Sequence, residues 1–427
     1  MKSKKTLVIN VGGSPEPVIE SLNTHKPDVI YFIPSTESQN KIDEIISRAY
    51  PDGFTAQRYK FVIDDHNNLV SCYKQCFNVF EDIKKAGISG EDIVIDLTGG
   101  TKQMSAALAL AATEQGLKVS YVGGEERTKD GLGTVVSGTE KIYYSSHPFD
   151  ILAKTEKERF CHYFNTYRFT PAIDVCNYVI DKSSQRMSSI FKCLKKIAEG
   201  YRNWDLFKFE NSLKSINSGI NCLNRLSELY QEDVSRLNDF LKPIKENANQ
   251  LEGVLNASPK ERISMETVEE LVANALRRAE EGKYDDAVAR LYRALEMIAQ
   301  SQFIKIYNQS TSKFPYDKLC DELKERYSGK IEKENTVDLG CYSAYKQLSI
   351  EDNKYGKLFM QNEIKIKSLL EQRNKSIMAH GITPLSKKKF ENLYDEFVGI
   401  FGIDGKKIKF AKLDPSALIP VGIDWGN

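Results

Sequence analysis

The sequence has no apolar stretch close to the ~20 residues that a membrane-spanning helix requires, and the strand-like residues 6–10 are too short for the apolar core of a signal peptide. Its eight cysteines are scattered, without a C-x-x-C pair or a histidine at zinc-finger spacing. The formal net charge is only +1, so the molecule as a whole does not attract nucleic acid. These absences predict a cytoplasmic protein with reduced cysteines, without structural zinc and without a membrane partner.

The length of 427 residues exceeds that of one ordinary domain, so we expect two or three domains, each with its own core. With 41% hydrophobic and 28% charged residues, the composition is typical of a soluble globular protein. Because the two signs of charge balance, any phosphate or RNA site depends on the local placement of basic residues.

Short apolar runs alternate with amphipathic segments over the first ~145 residues. The predicted strands are 7–11, 29–34, 61–63, 93–97 and 117–122, followed by a hairpin at 134–136 and 141–144. Strands that alternate with helices in this way predict a parallel, Rossmann-like sheet. Ligands of such sheets bind outside the carboxyl ends of the strands, so the loops that follow the strands form the candidate binding rim.

The turn after the fourth predicted strand is the most informative part of this rim. It reads Thr98-Gly99-Gly100-Thr101-Lys102 and leads into an Ala-rich segment that favours a helix. Free backbone N–H groups and the positive end of the helix dipole would meet there, and Lys102 adds a full positive charge. The turn has neither the Walker spacing nor G-x-G-x-x-G. We therefore expect a phosphate- or ribose-binding turn of another kind, or a glycine-rich turn that binds nothing.

The other loops of the rim are also polar or rich in glycine, which favours a nucleotide-like ligand. Since the rim offers almost no acid–base groups, binding is favoured over catalysis at this edge. The candidate ligand-binding residues are Gly12, Gly13, Ser14, Ser35, Ser38, Thr98, Gly99, Gly100, Thr101 and Lys102.

After residue ~148 the pattern changes to helices. Residues 150–260 are polar, helical and without a recognisable site, so they predict a helical connector. Further helices are expected over 265–281, 284–307 and 362–379, and residues 408–413 are a candidate for a short terminal strand.

Arg373 and His380 form the second motif of the chain. They are seven residues apart, two helical turns, and would share a face of the predicted helix to within ~20°. Gly381 and Pro384 follow, which places His380 in the last helical turn, where the dipole favours imidazolium. Such a pair suits metal-free phosphodiester chemistry, because the histidine can move a proton while the arginine stabilises the phosphate. The alternative is a solvated helix face on which the pair arose by chance.

The N-terminal motif resembles a feature of the CRISPR-associated CARF–HEPN ribonucleases, the ancillary effectors of type III CRISPR systems. Residues 96–102 look like the signature turn of CARF domains, which are Rossmann-like and bind cyclic oligoadenylates. Residues 11–14 and 34–38 look like the other two rim loops of that family.

The C-terminal motif completes the resemblance. Arg373-Asn374, followed after five residues by His380, matches the HEPN pattern. Residues 287–300 look like the leading HEPN helix, whose Arg293 and Glu296 could line the same cleft. The resemblance implies an α/β Rossmann-like CARF domain followed by an all-α HEPN domain, with the boundaries 1–148 for CARF, 149–262 for the helical connector and 263–427 for HEPN.

The resemblance also implies a function. A cyclic tetra- or hexa-adenylate would lie across the CARF domains of a homodimer as an allosteric activator. Single-stranded RNA would then be cut without a metal or other cofactor, leaving a 2′,3′-cyclic phosphate. The catalytic residues would be Arg373, Asn374 and His380, contributed by both subunits.

Three alternatives remain open at the level of sequence. The same sensor drives a DNA nuclease or a transcription factor in some relatives, but no helix-turn-helix is visible and no stable DNA binding is expected. The helical domain could instead be a non-catalytic scaffold or regulator. A nucleotide-binding metabolic enzyme is the third alternative, although the rim offers it no acid or base.

Overall fold

The computed structural model describes residues 4–124, 126, 136, 139–144, 147–230, 234–257, 263–329, 335–377 and 381–416. The chain divides into two compact units. The α/β unit is built mainly from Met1–Phe160 and Ile173–Lys195, and the helical unit from Cys161–Ala172 and Lys196–Leu418.

A six-stranded sheet organises the α/β unit. Its strands are β1 (Thr6–Val11), β2 (Val29–Pro34), β3 (Gln57–Lys60), β4 (Ile93–Asp96), β5 (Lys118–Gly124) and β6 (Glu140–Tyr144). They lie in the order β3-β2-β1-β4-β5-β6, with parallel pairing throughout except for β6, which runs antiparallel to β5. The connecting helices are α1 (Glu16–His25), α2 (Ile42–Ala49), α3 (Leu69–Lys85) and α4 (Lys102–Gln115).

Both faces of the sheet are covered by helices. Leu7, Ile9 and Val11 of β1 pack with α1 and α2 on one face, whereas Val8 packs with α3 and α4 on the other. A parallel strand buried on both faces needs a largely apolar sequence, and β1 has one apart from the buried Thr6 and Asn10. The predicted Rossmann-like α/β fold of the N-terminal region is therefore confirmed.

Two predicted strands differ from those observed. The third strand is not 61–63 but β3, whose four residues are all exposed, and Ile63 makes only an isolated bridge to Ser35. An edge strand has solvent beside it and needs no apolar run, so hydrophobicity did not mark it. In the predicted hairpin, residues 134 and 135 lie outside the described residues, and the second half became β6, which pairs with β5.

The rest of the chain is helical. The first group comprises α5 (Pro148–Asn165), α6 (Phe169–Lys182), α7 (Gln185–Asp205), α8 (Phe209–Tyr230) and α9 (Val234–Ala257). The second group comprises α10 (Met265–Glu280), α11 (Tyr284–Tyr307), α12 (Asp321–Tyr327), α13 (Cys341–Ile350), α14 (Lys354–Gln361), α15 (Glu363–Lys375) and α16 (Lys387–Phe401), with the short strands β7 (Phe314–Pro315) and β8 (Thr336–Val337). Within the described ranges, no helix is long and apolar enough to span a bilayer.

Helix α11 is the centre of the second group. It packs against α10, α13, α15 and α16, and it buries Leu291, Leu295, Ile298 and Phe303. A helix that contacts neighbours on several sides needs a wide apolar surface. The predicted all-α C-terminal region is therefore confirmed, and its core fixes the helix that carries Arg293.

Candidate functional site

The strand order of the sheet reverses between β1 and β4, and ligands of open α/β sheets bind at such a point. The turns that follow these two strands line a cavity of about 400 Å³, within the size range of small-ligand pockets. We refer to it as the rim cavity. It is lined by Gly12, Gly13, Ser14, Glu16, Pro17, Thr98, Gly99, Gly100, Tyr121, Val122 and Glu140.

The two turns approach each other so closely that only glycine fits between them. A methyl group on Gly99 would lie 1.9 Å from the carbonyl oxygen of Asn10, and one on Gly12 would lie 2.6 Å from the backbone nitrogen of Gly100. Gly100 also has a φ of 86°, a conformation that favours glycine. These glycines keep the two backbones in contact at the rim cavity.

Asp96, at the end of β4, shapes the turn rather than facing a ligand. Its buried carboxylate accepts hydrogen bonds from the Thr98 N–H (2.9 Å) and from the hydroxyls of Ser21 (2.9 Å) and Ser120 (3.1 Å). The Ser120 hydroxyl lies 3.1 Å from Nε2 of His25. Burial keeps the pKa of His25 below its ordinary value, although the Asp96 carboxylate acts in the opposite direction.

Two of the predicted ligand residues keep free polar groups at the rim. The Thr98 hydroxyl accepts a hydrogen bond from the Val122 N–H (2.7 Å), and its own hydrogen has no acceptor among the described residues. Lys102 is exposed at the first position of α4, and no carboxylate of the described residues pairs with it. Thr98 lines the rim cavity, whereas Lys102 does not.

Three other predicted ligand residues have side chains engaged within the fold. Ser35 and Ser38 are buried, and the Ser38 hydroxyl accepts from the Ser35 N–H (2.9 Å) and donates to the Val11 carbonyl (2.6 Å). Thr101 caps α4 and donates to the carbonyl of His66 (2.9 Å). These side chains stabilise the turns and do not line the rim cavity.

The sequence did not reveal Tyr121, Glu16 or Glu140 as lining residues. Tyr121 is 42% exposed and offers an aromatic face to a base, and carboxylates suit ribose hydroxyls. A backbone hydrogen bond and, more weakly, Arg48 at 3.1 Å lower the pKa of Glu16. A signal for Tyr121 was available, because it lies near the carboxyl end of the predicted strand 117–122, whereas nothing in the sequence marked the two glutamates.

Helix α15 carries the second motif, but it ends at Lys375 rather than near residue 379. Arg373 and Asn374 lie in its last turn, and the Asn374 side chain is exposed. His380 lies outside the described residues. Since residues 376 and 377 are not helical, the predicted helix to residue 379, on which Arg373 and His380 would share a face, is wrong.

The described flanks of the motif lie close together. The N–H of Gly381 donates a hydrogen bond to the carbonyl of Ser376 (3.2 Å). Ser376 is buried, so the residue that follows α15 is anchored in the helical unit.

Helix α11 packs against α15 and presents a polar cluster. The Arg293 guanidinium donates to Glu296 (2.9 Å) and to Gln300 (2.9 Å), and the Arg293 side chain is 44% exposed. The predicted pair Arg293 and Glu296 thus lies on the neighbour of the helix that carries Arg373. In the part of the chain that the structure describes, no group of three or more histidine, cysteine, aspartate or glutamate residues could hold a metal ion.

Comparison with known proteins decides the family. A sequence profile of the Csm6 HEPN domain matches residues 256–402, and a profile of the Csm6 6H domain matches residues 152–251. The two matches do not overlap and together span more than half of the chain. The chain belongs to the Csm6 family. The predicted resemblance to CARF–HEPN ribonucleases is thereby confirmed.

Two Csm6 proteins illustrate the relationship. The CRISPR system endoribonuclease Csm6 of Thermus thermophilus is 24% identical over 320 residues, which make up 70% of this chain but only 66% of that relative. A structure of Enterococcus italicus Csm6 bound to cyclic hexa-2′-fluoro-hexa-dAMP has a TM-score of 0.58 at 13% identity, covering 94% of this chain and 95% of the other. At this identity the likeness shows a shared fold.

The two Csm6 profiles together cover most of the helical part of the sequence. The HEPN match includes α10, α11 and α15, and with them the positions of Arg293, Arg373 and His380. The 6H match covers the region that sequence reasoning assigned only as a connector. The exact boundaries 1–148, 149–262 and 263–427 stay a prediction.

Proposed function

We propose that this Csm6-family protein is an endoribonuclease that cuts single-stranded RNA when a cyclic oligoadenylate binds its α/β unit, as part of type III CRISPR defence. The observation that carries the proposal is the HEPN match over residues 256–402, which contains the Arg373–His380 motif. The rim cavity at the strand reversal supplies a separate place for the activator. The predicted cytoplasmic location fits this role and stays a prediction.

The rim cavity suits a cyclic oligoadenylate in several ways. The closely packed glycine turns and the Thr98 hydroxyl offer donors to phosphate oxygens. Tyr121 offers a stacking surface for adenine, and Lys102 adds positive charge near the helix N-terminus. The ring would lie across two copies of the cavity in a homodimer, and its size, four or six adenylates, depends on both copies.

The chemistry would be carried by side chains alone. His380 would take the proton of a ribose 2′-OH or deliver one to the leaving 5′ oxygen, which is the work of a general acid–base. Arg373 would hold the phosphate and stabilise the charge that develops on it, and Asn374 would position the same group. Attack by the 2′ oxygen breaks the bond to the 5′ oxygen, so the products would be a 2′,3′-cyclic phosphate and a 5′-OH.

The activator site and the catalytic motif lie in different units of the chain. Activation would therefore be a coupling between distinct sites: the ring binds the competent arrangement of the HEPN pair more tightly and shifts the population toward it.

The test is cleavage of a fluorophore–quencher single-stranded RNA in EDTA, with cyclic tetra-adenylate, cyclic hexa-adenylate or neither. We expect cutting with one of the rings, unaffected by the chelator. His380→Ala and Arg373→Ala should each lose about 100-fold or more of the cutting rate, because general acid–base and charge-stabilising groups contribute on this scale. Activator binding should stay unchanged in both variants.

Lys365→Ala is the matched control, since it removes an exposed positive charge from the same helix as Arg373. It should cut like the wild type. End-group analysis of the products checks for the cyclic phosphate. Near-normal cutting by His380→Ala would refute the catalytic assignment, and ring binding without any cutting by the wild type would favour the non-catalytic regulator.

A further inference from the structure

A second cavity, of about 510 Å³, lies within the helical unit. Three helix connections form it: the turn between α5 and α6, the end of α7 with the turn that follows, and the turn between α10 and α11. We call it the arginine cavity. It is lined by Tyr167, Arg168, Phe169, Thr170, Pro171, Arg202, Asp205, Leu206, Arg278, Glu281 and Lys283.

The two carboxylates of the arginine cavity are already paired. Asp205 accepts from the buried Arg278 at 2.5 Å and from Arg277 at 3.1 Å. Glu281 lies 2.7 Å from Arg278 and 3.3 Å from Lys283. The negative charge at this site is therefore neutralised within the protein.

The lining of the arginine cavity also includes Arg168 and Arg202, which take no part in these ion pairs. Neither has a carboxylate or hydrogen-bond partner for its guanidinium among the described residues. Arg168 is exposed and Arg202 half-buried, so both are accessible from the cavity. Guanidinium groups without a protein partner, at a cavity of ligand size, are suited to bidentate binding of phosphate.

The lining also includes apolar surface. Leu206 is 56% exposed and Thr170 adds a hydroxyl, so the cavity can contact a base or ribose as well as a phosphate. This mixture favours a nucleic-acid strand over a bare inorganic anion.

The lining of the arginine cavity and the segment that follows the proposed catalytic motif both reach the start of α11. Lys283 immediately precedes α11, and Arg293 lies ten residues further, about 15 Å along the helix axis. The N–H of Leu385, in the segment after the motif, donates to Asp285 in the first turn of α11 (3.2 Å). At roughly 3.4 Å per stacked nucleotide, about 15 Å corresponds to four or five nucleotides.

We propose that the arginine cavity is a phosphate-binding site for the single-stranded RNA substrate, with Arg168 and Arg202 as the contacting residues. It holds the strand a few nucleotides from the bond that is cut. This inference rests on the proposed function for the identity of the ligand, but its test measures binding rather than cutting.

The experiment measures the affinity of the full-length protein for a 2′-O-methyl single-stranded RNA, which cannot be cut by 2′-OH attack, over a series of salt concentrations. For Arg168→Gln/Arg202→Gln we expect Kd to rise about tenfold or more at low salt. The slope of log K against log salt should fall by about 1.4, because each phosphate contact of a single strand contributes about 0.7. In activated cleavage of ordinary RNA, KM should rise while kcat stays within about twofold.

Lys214→Gln/Arg225→Gln is the matched control, because it removes the same charge from exposed positions of α8 outside the cavity. The inference is overturned if the two double variants have the same affinity and slope, or if the cavity variant loses activator binding instead of RNA binding. If the double variant does not fold, each arginine is replaced alone, with an expected slope change of about 0.7. Arginine-dependent binding by a wild type that never cuts RNA would refute the proposed function and leave this inference standing.

Discussion

At the scale of the residue, neighbouring glycines of the β1 turn have different roles. A methyl group on Gly12 would lie 2.6 Å from the backbone nitrogen and 3.0 Å from the Cα atom of Gly100, whereas one on Gly13 would have no neighbour within 4 Å. The Gly12 position is therefore a contact between two backbones, which cannot move aside as a flexible side chain can. Gly13 lines the rim cavity without such a contact.

We predict that Gly12→Ala destabilises the protein and Gly13→Ala does not. Overpacking of a tight contact costs about 1–3 kcal/mol, so Gly12→Ala should lower the thermal unfolding midpoint by several degrees. Gly13→Ala should leave the midpoint unchanged or raise it slightly, because alanine restricts the unfolded chain. Differential scanning calorimetry measures the thermal unfolding midpoints of both variants. Equal midpoints would show that the backbone of Gly100 does not restrict the side chain at position 12.

At the scale of the element, the segment 409–413 is held by side-chain amides. The Asn247 amide donates to the Lys409 carbonyl (2.8 Å) and accepts from the Ala411 N–H (2.7 Å). Asn165 makes the same two-point contact with the N–H and carbonyl of Leu413, at 2.7 and 2.8 Å. The strand predicted at 408–413 is therefore not formed, since asparagines take the place of a neighbouring strand.

The connections that follow α5 and α7 have similar sequences and similar backbone conformations. The sequences FNTYRF (164–169) and WDLFKF (204–209) share an aromatic, an Asn or Asp, a second aromatic and a basic residue at matching positions. Tyr167 and Phe207 both have a φ near 60°, and Arg168 and Lys208 each donate a 2.8 Å backbone hydrogen bond across the turn. The Asn at the shared position binds the terminal segment, whereas the corresponding Asp205 binds arginines of α10.

We predict that Asn247→Ala lowers the free energy of unfolding by about 3 kcal/mol, because it leaves two buried groups and one partly buried carbonyl without partners. These are the Lys409 carbonyl, the Ala411 N–H and the Tyr201 hydroxyl, which donates to the same amide at 2.8 Å. Asn217→Ala, at an exposed position of α8, should change stability by less than about 0.5 kcal/mol. Urea unfolding followed by circular dichroism measures the free energy of unfolding of both variants. If Asn247→Ala lost as little stability as Asn217→Ala, the contacts of the Asn247 amide would contribute little.

At the scale of the whole molecule, the proposed catalytic site would be shared between the two subunits of the proposed homodimer. A symmetric dimer places the same surface of each chain on one axis, so both copies of Arg373 and His380 would belong to one site. Replacing the catalytic residues in one subunit should then lower the cutting rate of the dimer by more than half.

We predict that a dimer of one wild-type chain and one His380→Ala chain retains less than about a tenth of the wild-type cutting rate, since the shared site lacks one acid–base group. The mixed dimer is isolated with two affinity tags and assayed with the activator. A mixed dimer with His162→Ala, an exposed histidine of α5, should cut like the wild type. If the His380→Ala mixed dimer retained half of the wild-type cutting rate, each subunit would have an independent catalytic site. If sedimentation showed that the protein is a monomer, a site shared between subunits would be excluded.

Features that depend on local burial and local geometry could be predicted from the sequence alone. Continuous apolar runs identified β1, β2 and β4, because a central parallel strand must be buried on both faces. The pair of glycines before α4 marked the turn at the strand reversal, since few other residues permit that backbone. The family resemblance rested on short motifs of this kind.

Which side chains meet could be seen only in the folded molecule. It showed that the exposed β3 forms an edge of the sheet and that Ser35 and Ser38 stabilise a turn instead of facing the cavity. It also brought Arg168, Arg202 and Lys283 to one cavity from connections more than thirty residues apart. Periodicity reports how deeply a segment is buried, whereas a site depends on long-range contacts that no local pattern records.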